Sequence, residues 1–250
     1  MLQDAIVLGF LASLGAGLAT GIGALPVLFL EDISDKILDS MLGFAAGVML
    51  AASVFSLLIP SIEIGGIGAT IIGLVIGAFF LDMLDLYVPH MHFFLGPEGP
   101  SIRLRKTWLF ILAITLHNLP EGLSVGVSFG LGNISAGLVI AIAIALQNIP
   151  EGTGVAFPLV REGYSRKNAV LYATLSGLVE PIAGAIGAVA VTISNILLPY
   201  ALAFAAGAMI YVISDEVIPE SHRKGFEKEA TYGLILGFIL MMLLDNILKL

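Results

Sequence analysis

The amino-acid sequence points to an all-α polytopic membrane protein of eight transmembrane helices, on three counts. Of its 250 residues, 58% are hydrophobic and only 12% charged, with a mean hydropathy of +1.02; an ordinary soluble domain carries roughly a quarter charged residues. Polar breaks divide the chain into apolar stretches of about 20 residues or more, the length that one crossing needs. Lys and Arg fall on alternate connections between those stretches. The same composition excludes a soluble globule and a disordered chain, and a net charge of -8 argues against a nucleic-acid partner. Without Cys, neither a disulfide framework nor a thiolate metal site is available.

The chain is expected to form a single transmembrane domain over residues 1–250. Its first span, Leu2 to Leu30, has no basic leader before it and is too long for the apolar core of a cleaved signal, about 7–15 residues; it is expected to remain as a helix. The others are expected at Lys36 to Ser61, Gly65 to Val88, Lys106 to Gly130, Ile134 to Val160, Asn168 to Ile193, Tyr200 to Ile218 and Ala230 to Leu248. One set of connections carries Lys36, then Arg103, Arg105 and Lys106, then Arg161, Arg166 and Lys167, then Arg223, Lys224 and Lys228. The other set, Pro60 to Gly66, Leu131 to Asn133 and Ser194 to Pro199, has no cation, and only Lys249 lies on that side. The positive-inside rule puts the basic set in the cytoplasm and both termini outside the plasma (inner) membrane.

An internal repeat links the second and seventh spans. Phe44-Ala45-Ala46-Gly47-Val48-Met49 returns as Phe204-Ala205-Ala206-Gly207-Ala208-Met209, and each is followed by Ile-Pro, at Ile59-Pro60 and Ile218-Pro219. The two spans run in opposite directions, so the expectation is an inverted repeat of spans 1–3 and 6–8, a transporter pattern.

Most acidic residues sit in connections or near span ends. Glu121, Glu151 and Glu180 fall near the middle of spans, where an ionised group costs at least about 2.5 kcal/mol. The spans supply no Lys or Arg at that depth, so a bound cation is the simplest counter-charge. The fourth span reads His117-Asn118-Leu119-Pro120-Glu121-Gly122 and the fifth Gln147-Asn148-Ile149-Pro150-Glu151-Gly152. Positions three and four apart share a helix face, so His117, Asn118 and Glu121 form one ligand set and Gln147, Asn148 and Glu151 another. Imidazole with carboxylate suits zinc, iron or manganese, whereas calcium and magnesium favour oxygen cages. Pro120 and Pro150 remove amide donors and are expected to kink their helices. Met49, near the centre of the second span, has a thioether within reach of a soft metal, although a core-filling role is the simpler one.

With these paired motifs, the chain resembles the ZIP (ZRT/IRT-like protein) family of divalent-metal transporters, close to its bacterial GufA-like branch. The resemblance implies that His117, Glu121, Gln147, Glu151 and Met49 surround one metal position. Asn118, Asn148 and Glu180 would complete a second, with Glu121 and Glu151 bridging two ions. It implies zinc, or cadmium, iron or manganese, as cargo rather than cofactor. Ser56 and Glu63 would serve the outer entrance; Glu216, Glu220 and His222, after the seventh span, and His90 and His92, in the long loop, would serve the exit. For the two loop histidines an ordinary solvated role is favoured, and Asp39, Asp82 and Asp85 are expected at the interface or paired with loop cations.

The expected activity is a secondary carrier bringing a divalent metal into the cytoplasm. By resemblance, spans one, four, five and six would move elevator-like against two, three, seven and eight. The Gly9, Gly15, Gly17, Gly184 and Gly187 faces would permit sliding and also a homodimer. A passive metal channel is one alternative. An intramembrane metal-dependent hydrolase is another, less favoured because no second His lies near His117 to complete a His-Glu-x-x-His arrangement.

Overall fold

The computed structural model describes residues 2–92, 96–98, 106–129 and 134–248. Arg103, Arg105, Lys249 and the connection Leu131 to Asn133 lie outside the described residues. Helices run in the order α1 (Leu2–Ala24), α2 (Asp35–Ala51), α3 (Ile59–Tyr87), α4 (Lys106–Phe129), α5 (Ile134–Arg161), α6 (Arg166–Gly177), α7 (Val179–Ile193), α8 (Leu198–Val212), α9 (Ile218–Ser221) and α10 (Glu227–Leu248). Between α3 and α4 a small antiparallel hairpin pairs β1 (His90–His92) with β2 (Gly96–Glu98).

Among the described residues, six segments are long and apolar enough to cross a membrane. One of them, Asp35–Tyr87, runs for 53 residues and folds back on itself at Gly66, whose φ of 73° only glycine adopts without strain. The eight crossings expected from the sequence require both arms of that segment and α4, whose 24 residues carry the polar motif that lowers its hydropathy.

The interruptions of the helical backbone lie away from the two motif prolines. α4 and α5 continue as helix through Pro120 and Pro150. The sixth expected span breaks instead at Leu178, between α6 and α7, with Glu180 in the first turn of α7. π-helical segments interrupt the second span at Ala52–Leu58 and the seventh at Ile213–Val217, each directly before Ile-Pro. Such bulges gather at functional positions.

α2 packs along α10 and α3 along α8, the two most extensive pairings. α1 packs on α4, α5, α6 and α7, and α4 on α7, as a second group; α2 with α5 and α4 with α8 are the main contacts between the groups. This is the division into spans two, three, seven and eight against one, four, five and six.

The inverted repeat extends from the six-residue motif to the packing. A Cβ on Gly47 would strike the Leu234 carbonyl, and one on Gly207 the Leu74 carbonyl; the shift that carries Phe44 onto Phe204 carries Gly47 onto Gly207 and Leu74 onto Leu234. The same shift matches Gly233 against Ser40 with Gly73 against Tyr200, and Gly237 against Phe44 with Gly77 against Phe204. Gly17 and Gly177, also related by it, press on each other's carbonyls, which places them beside the pseudo-two-fold axis. Gly9, Gly17 and Gly184 bury between α1 and α6–α7, inside one group. They pack that group tightly instead of supplying a sliding surface, while a Cβ on Gly15 would meet nothing within 4 Å.

At the basic end, Ser34 caps α2 and Ser165 caps α6, accepting from Ile37 at 3.4 Å and Asn168 at 3.2 Å. Arg161, ending α5, donates to Asp32 at 2.9 Å, Asp35 at 2.7 Å and the Ile33 carbonyl at 2.6 Å, tying the two groups where the chain passes from α1 to α2. The guanidinium is partly hydrated, so Arg161→Gln is expected to cost no more than about 1 kcal/mol. Chemical denaturation in detergent would measure it, and a much larger loss would mean that this tie, not the buried interface, holds the groups together.

Candidate metal site

The polar residues of α4 and α5 face one another as their spacing requires. His117 and Glu121 from α4, Gln147 and Glu151 from α5 and Met49 from α2 line one cavity of about 60 Å³. A water needs roughly 10–15 Å³ of such space, so several waters, or an ion and part of its hydration, have room. Leu42 and Glu220 also line the cavity, so it extends from mid-helix toward the end that carries the basic connections.

Beside it lies a second set of donors. Asn118, Glu121, Asn148 and Glu180 have no exposed surface. Asn148 donates to Glu180 at 2.7 Å and to the Ala16 carbonyl at 2.8 Å, and Gln147 donates to Asn148 at 2.6 Å. The chain of amides ends there. Both Glu121 oxygens, one oxygen each of Glu151 and Glu180, and both polar atoms of Asn118 are buried with no hydrogen-bond partner. Gln147 adjoins Glu121 without closing a bond of normal geometry. The charges acting on Glu121 are those of Glu151 and Glu180, so the three carboxylates share one region. Buried acceptors are normally satisfied, and an unpaired buried carboxylate is among the most costly groups a protein can hold.

His117 points its Nδ1 at Glu216, 3.0 Å away. Glu216 is 2% exposed and comes from the π segment Ile213–Val217 that follows α8, so this pair joins α4 to the group of α2, α3, α8 and α10, the strut of the bundle. Among the described residues no three His, Asp or Glu side chains converge closely enough to chelate an ion as they stand. A metal here requires the Asn and Gln amides and Met49 as ligands, or a turn of His117 away from Glu216.

The positions expected at the entrance and exit are less uniform. Ser56 is buried in the π segment of the second span and hydrogen-bonded to Asp245 of α10, whereas Glu63 is exposed on the first arm of α3. Glu220 reaches the cavity. His222 does not: its Nδ1 lies 2.9 Å from the Ile218 carbonyl and its Nε2 3.1 Å from Thr231, bracing α9 against α10. His90 is not a solvated loop residue, being 1% exposed, with Nδ1 2.7 Å from the Val88 carbonyl and Nε2 3.8 Å from Asp85. His92 is on β1, its side chain outside the described residues. Asp39 is 3.8 Å from Lys224, the expected loop cation, and Asp82 takes a 3.3 Å bond from Tyr211. Sequence reasoning missed Asp245. The repeat contained the signal, because the shift from Phe44 to Phe204 carries Asp85 onto Asp245.

A bundle of long apolar helices with buried carboxylates, amides and a thioether around a mid-helix cavity is the architecture of a polytopic membrane protein. The family model described as ZIP Zinc transporter matches residues 96–245. The chain is 46% identical over 247 residues to the zinc transporter GufA of Myxococcus xanthus, covering 95% of this chain and 97% of that one. It is 43% identical over 243 residues to the zinc transporter ZIPB of Bordetella bronchiseptica, covering 92% and 78%. It is 37% identical over 317 residues to the human zinc transporter ZIP11, covering 90% and 93%. The chain belongs to the ZIP family of zinc transporters: it is a metal transporter, not an enzyme.

Proposed function

We propose that this chain is a secondary carrier that takes zinc from outside the cell into the cytoplasm, crossing the plasma membrane eight times with both termini outside. His117, Glu121, Gln147, Glu151 and Met49 take the ion, and Asn118, Asn148 and Glu180 complete a second position that shares Glu121 and Glu151. The observation that carries this reading is the set of buried carboxylate oxygens with no hydrogen-bond partner beside a cavity. A dication supplies the missing charge, and the carboxylates replace the water it sheds. Zinc leads cadmium, iron and manganese because the relatives named above are zinc transporters.

The cavity favours a carrier over a channel. Among the described residues, its lining reaches Glu220 near the basic connections and takes in none from Pro60 to Gly66 or Ser194 to Pro199 on the opposite side. Access therefore alternates, through an elevator-like shift of the α1, α4, α5, α6 and α7 group against α2, α3, α8 and α10. The test is zinc uptake by purified protein in sealed liposomes. Saturation at rising external zinc, with competition by cadmium, is the expected result. A rate that rises linearly without saturating would make the protein a channel, and no flux in protein-containing vesicles would overturn the reading.

A further inference from the structure

Two grooves run along the seam between the helix groups, one at each end of the bundle. The outer groove lies between α3, α4, α7 and α8, with Gly73, Ile76, Tyr200, Ala201 and Phe204 on its strut side, and has a volume of about 430 Å³. The inner groove lies between α2, α5 and α10, with Ser40, Met41, Phe44, Gly233 and Leu236 on its strut side, and has a volume of about 560 Å³. The inverted repeat makes them equivalent. The shift that carries Phe44 onto Phe204 carries Ser40 onto Tyr200, Met41 onto Ala201, Gly73 onto Gly233 and Ile76 onto Leu236.

We propose that each groove binds the hydrocarbon tail of a membrane phospholipid, one from each leaflet, as a wedge between the two helix groups. Both volumes fall in the range of small-molecule sites, roughly 300–1,000 Å³. Water is a poor occupant, since an ordered water needs two to four polar partners and the outer groove offers almost nothing but aliphatic and aromatic carbon. An empty groove would forfeit the dispersion contacts of its whole lining. Both grooves are continuous with the bilayer-facing surface: Ile76 and Ile186 are 53% and 57% exposed at the outer one, and Ile37 and Leu236 are 48% and 61% exposed at the inner one. The medium in contact with that surface is acyl chain. The inner groove adds a rim in Tyr232, an aromatic of the kind that favours the membrane interface, beside the Lys36–Glu229 ion pair at 2.8 Å.

The inference goes beyond zinc transport and stands whether or not zinc is the cargo. It is tested with a phosphatidylcholine that carries a diazirine midway along one tail, doped into phosphatidylethanolamine–phosphatidylglycerol vesicles holding the full chain. After irradiation, labelled residues are located by peptide mass spectrometry. Val75 and Ile76 are equally exposed neighbours, at 57% and 53%, but only Ile76 lines a groove. Label is expected to concentrate several-fold on Ile76 and Phe204 over Val75, and on Met41 and Leu236 at the inner site. Ala201→Phe should bring the outer label down to the Val75 level and leave the inner label intact; Ser40→Phe should do the reverse. Because the two variants fill different sites, each serves as the folding control for the other. Equal labelling of Val75 and Ile76, or grooves indifferent to filling, would mean ordinary annular lipid and overturn the proposal. So would protection of both grooves by a second copy of the chain, revealed by cross-linked dimers.

Discussion

Zinc uptake into vesicles is expected to fall to background when Glu121 is replaced by Gln, while the variant protein melts at a higher temperature than the parent. The two halves of this result come from one observation. Both Glu121 oxygens are buried without a hydrogen-bond partner, and the charges acting on them are the carboxylates of Glu151 and Glu180. In the metal-free protein that arrangement is unfavourable, because an ionised group at such depth costs at least about 2.5 kcal/mol. Gln has nearly the same shape and no charge, so it relieves the strain. With a dication in the site the sign reverses. Glu121 then belongs to a buried ion pair, and removing one partner of such a pair costs about 3–5 kcal/mol, on the order of a 100- to 1,000-fold loss of affinity or more. A purely structural role for Glu121 predicts lost stability together with lost uptake. Higher stability with lost uptake separates the two, and unchanged zinc-dependent uptake in correctly inserted Glu121→Gln protein would remove Glu121 from the site.

The carboxylates were legible in the sequence because the bilayer makes depth a chemical constraint: an acidic residue in mid-span needs a partner, and its absence can be read from composition. The face shared by His117 and Glu121, and by Gln147 and Glu151, followed from helical spacing alone. The repeat was legible from six residues, and the structure extends it to matched glycine–carbonyl contacts. What stayed hidden depends on backbone details that composition does not encode. Nothing in Ala52–Leu58 or Ile213–Val217 announces a π turn, because no residue type marks where an i→i+5 bond will replace i→i+4. Pro120 and Pro150 were expected to kink their helices, which run on through them, whereas nothing in Leu178, an ordinary helix former, announces the break between α6 and α7. The buried state of His90 was missed for a related reason. A loop histidine looks solvated until a hairpin folds it back on Asp85.

The inverted repeat gives the second large prediction, a pair of equal losses. Gly47→Ala and Gly207→Ala are each expected to destabilise the protein by about 1–3 kcal/mol, the usual cost of forcing a methyl into a filled interface. In both cases the new methyl would strike a main-chain carbonyl, that of Leu234 or of Leu74, which cannot turn aside as a side-chain tip would. The helices must separate instead, and both pairings depend on close approach through small residues. Gly15→Ala supplies the contrast: nothing lies within 4 Å of the added atom, and replacing a mid-helix glycine by alanine is worth roughly 0.5–1 kcal/mol in favour of the helix. Denaturation of the three purified variants in the same detergent should therefore lower stability by similar amounts for the repeat-related pair and raise it for Gly15→Ala. The double variant Gly47→Ala with Gly207→Ala should lose close to the sum, because the two contacts lie in different helix pairs with no shared partner. If Gly207→Ala were as stable as the parent while Gly47→Ala failed, the two halves of the strut would not be mechanically equivalent, and the paired grooves argued from the same symmetry would lose their common basis.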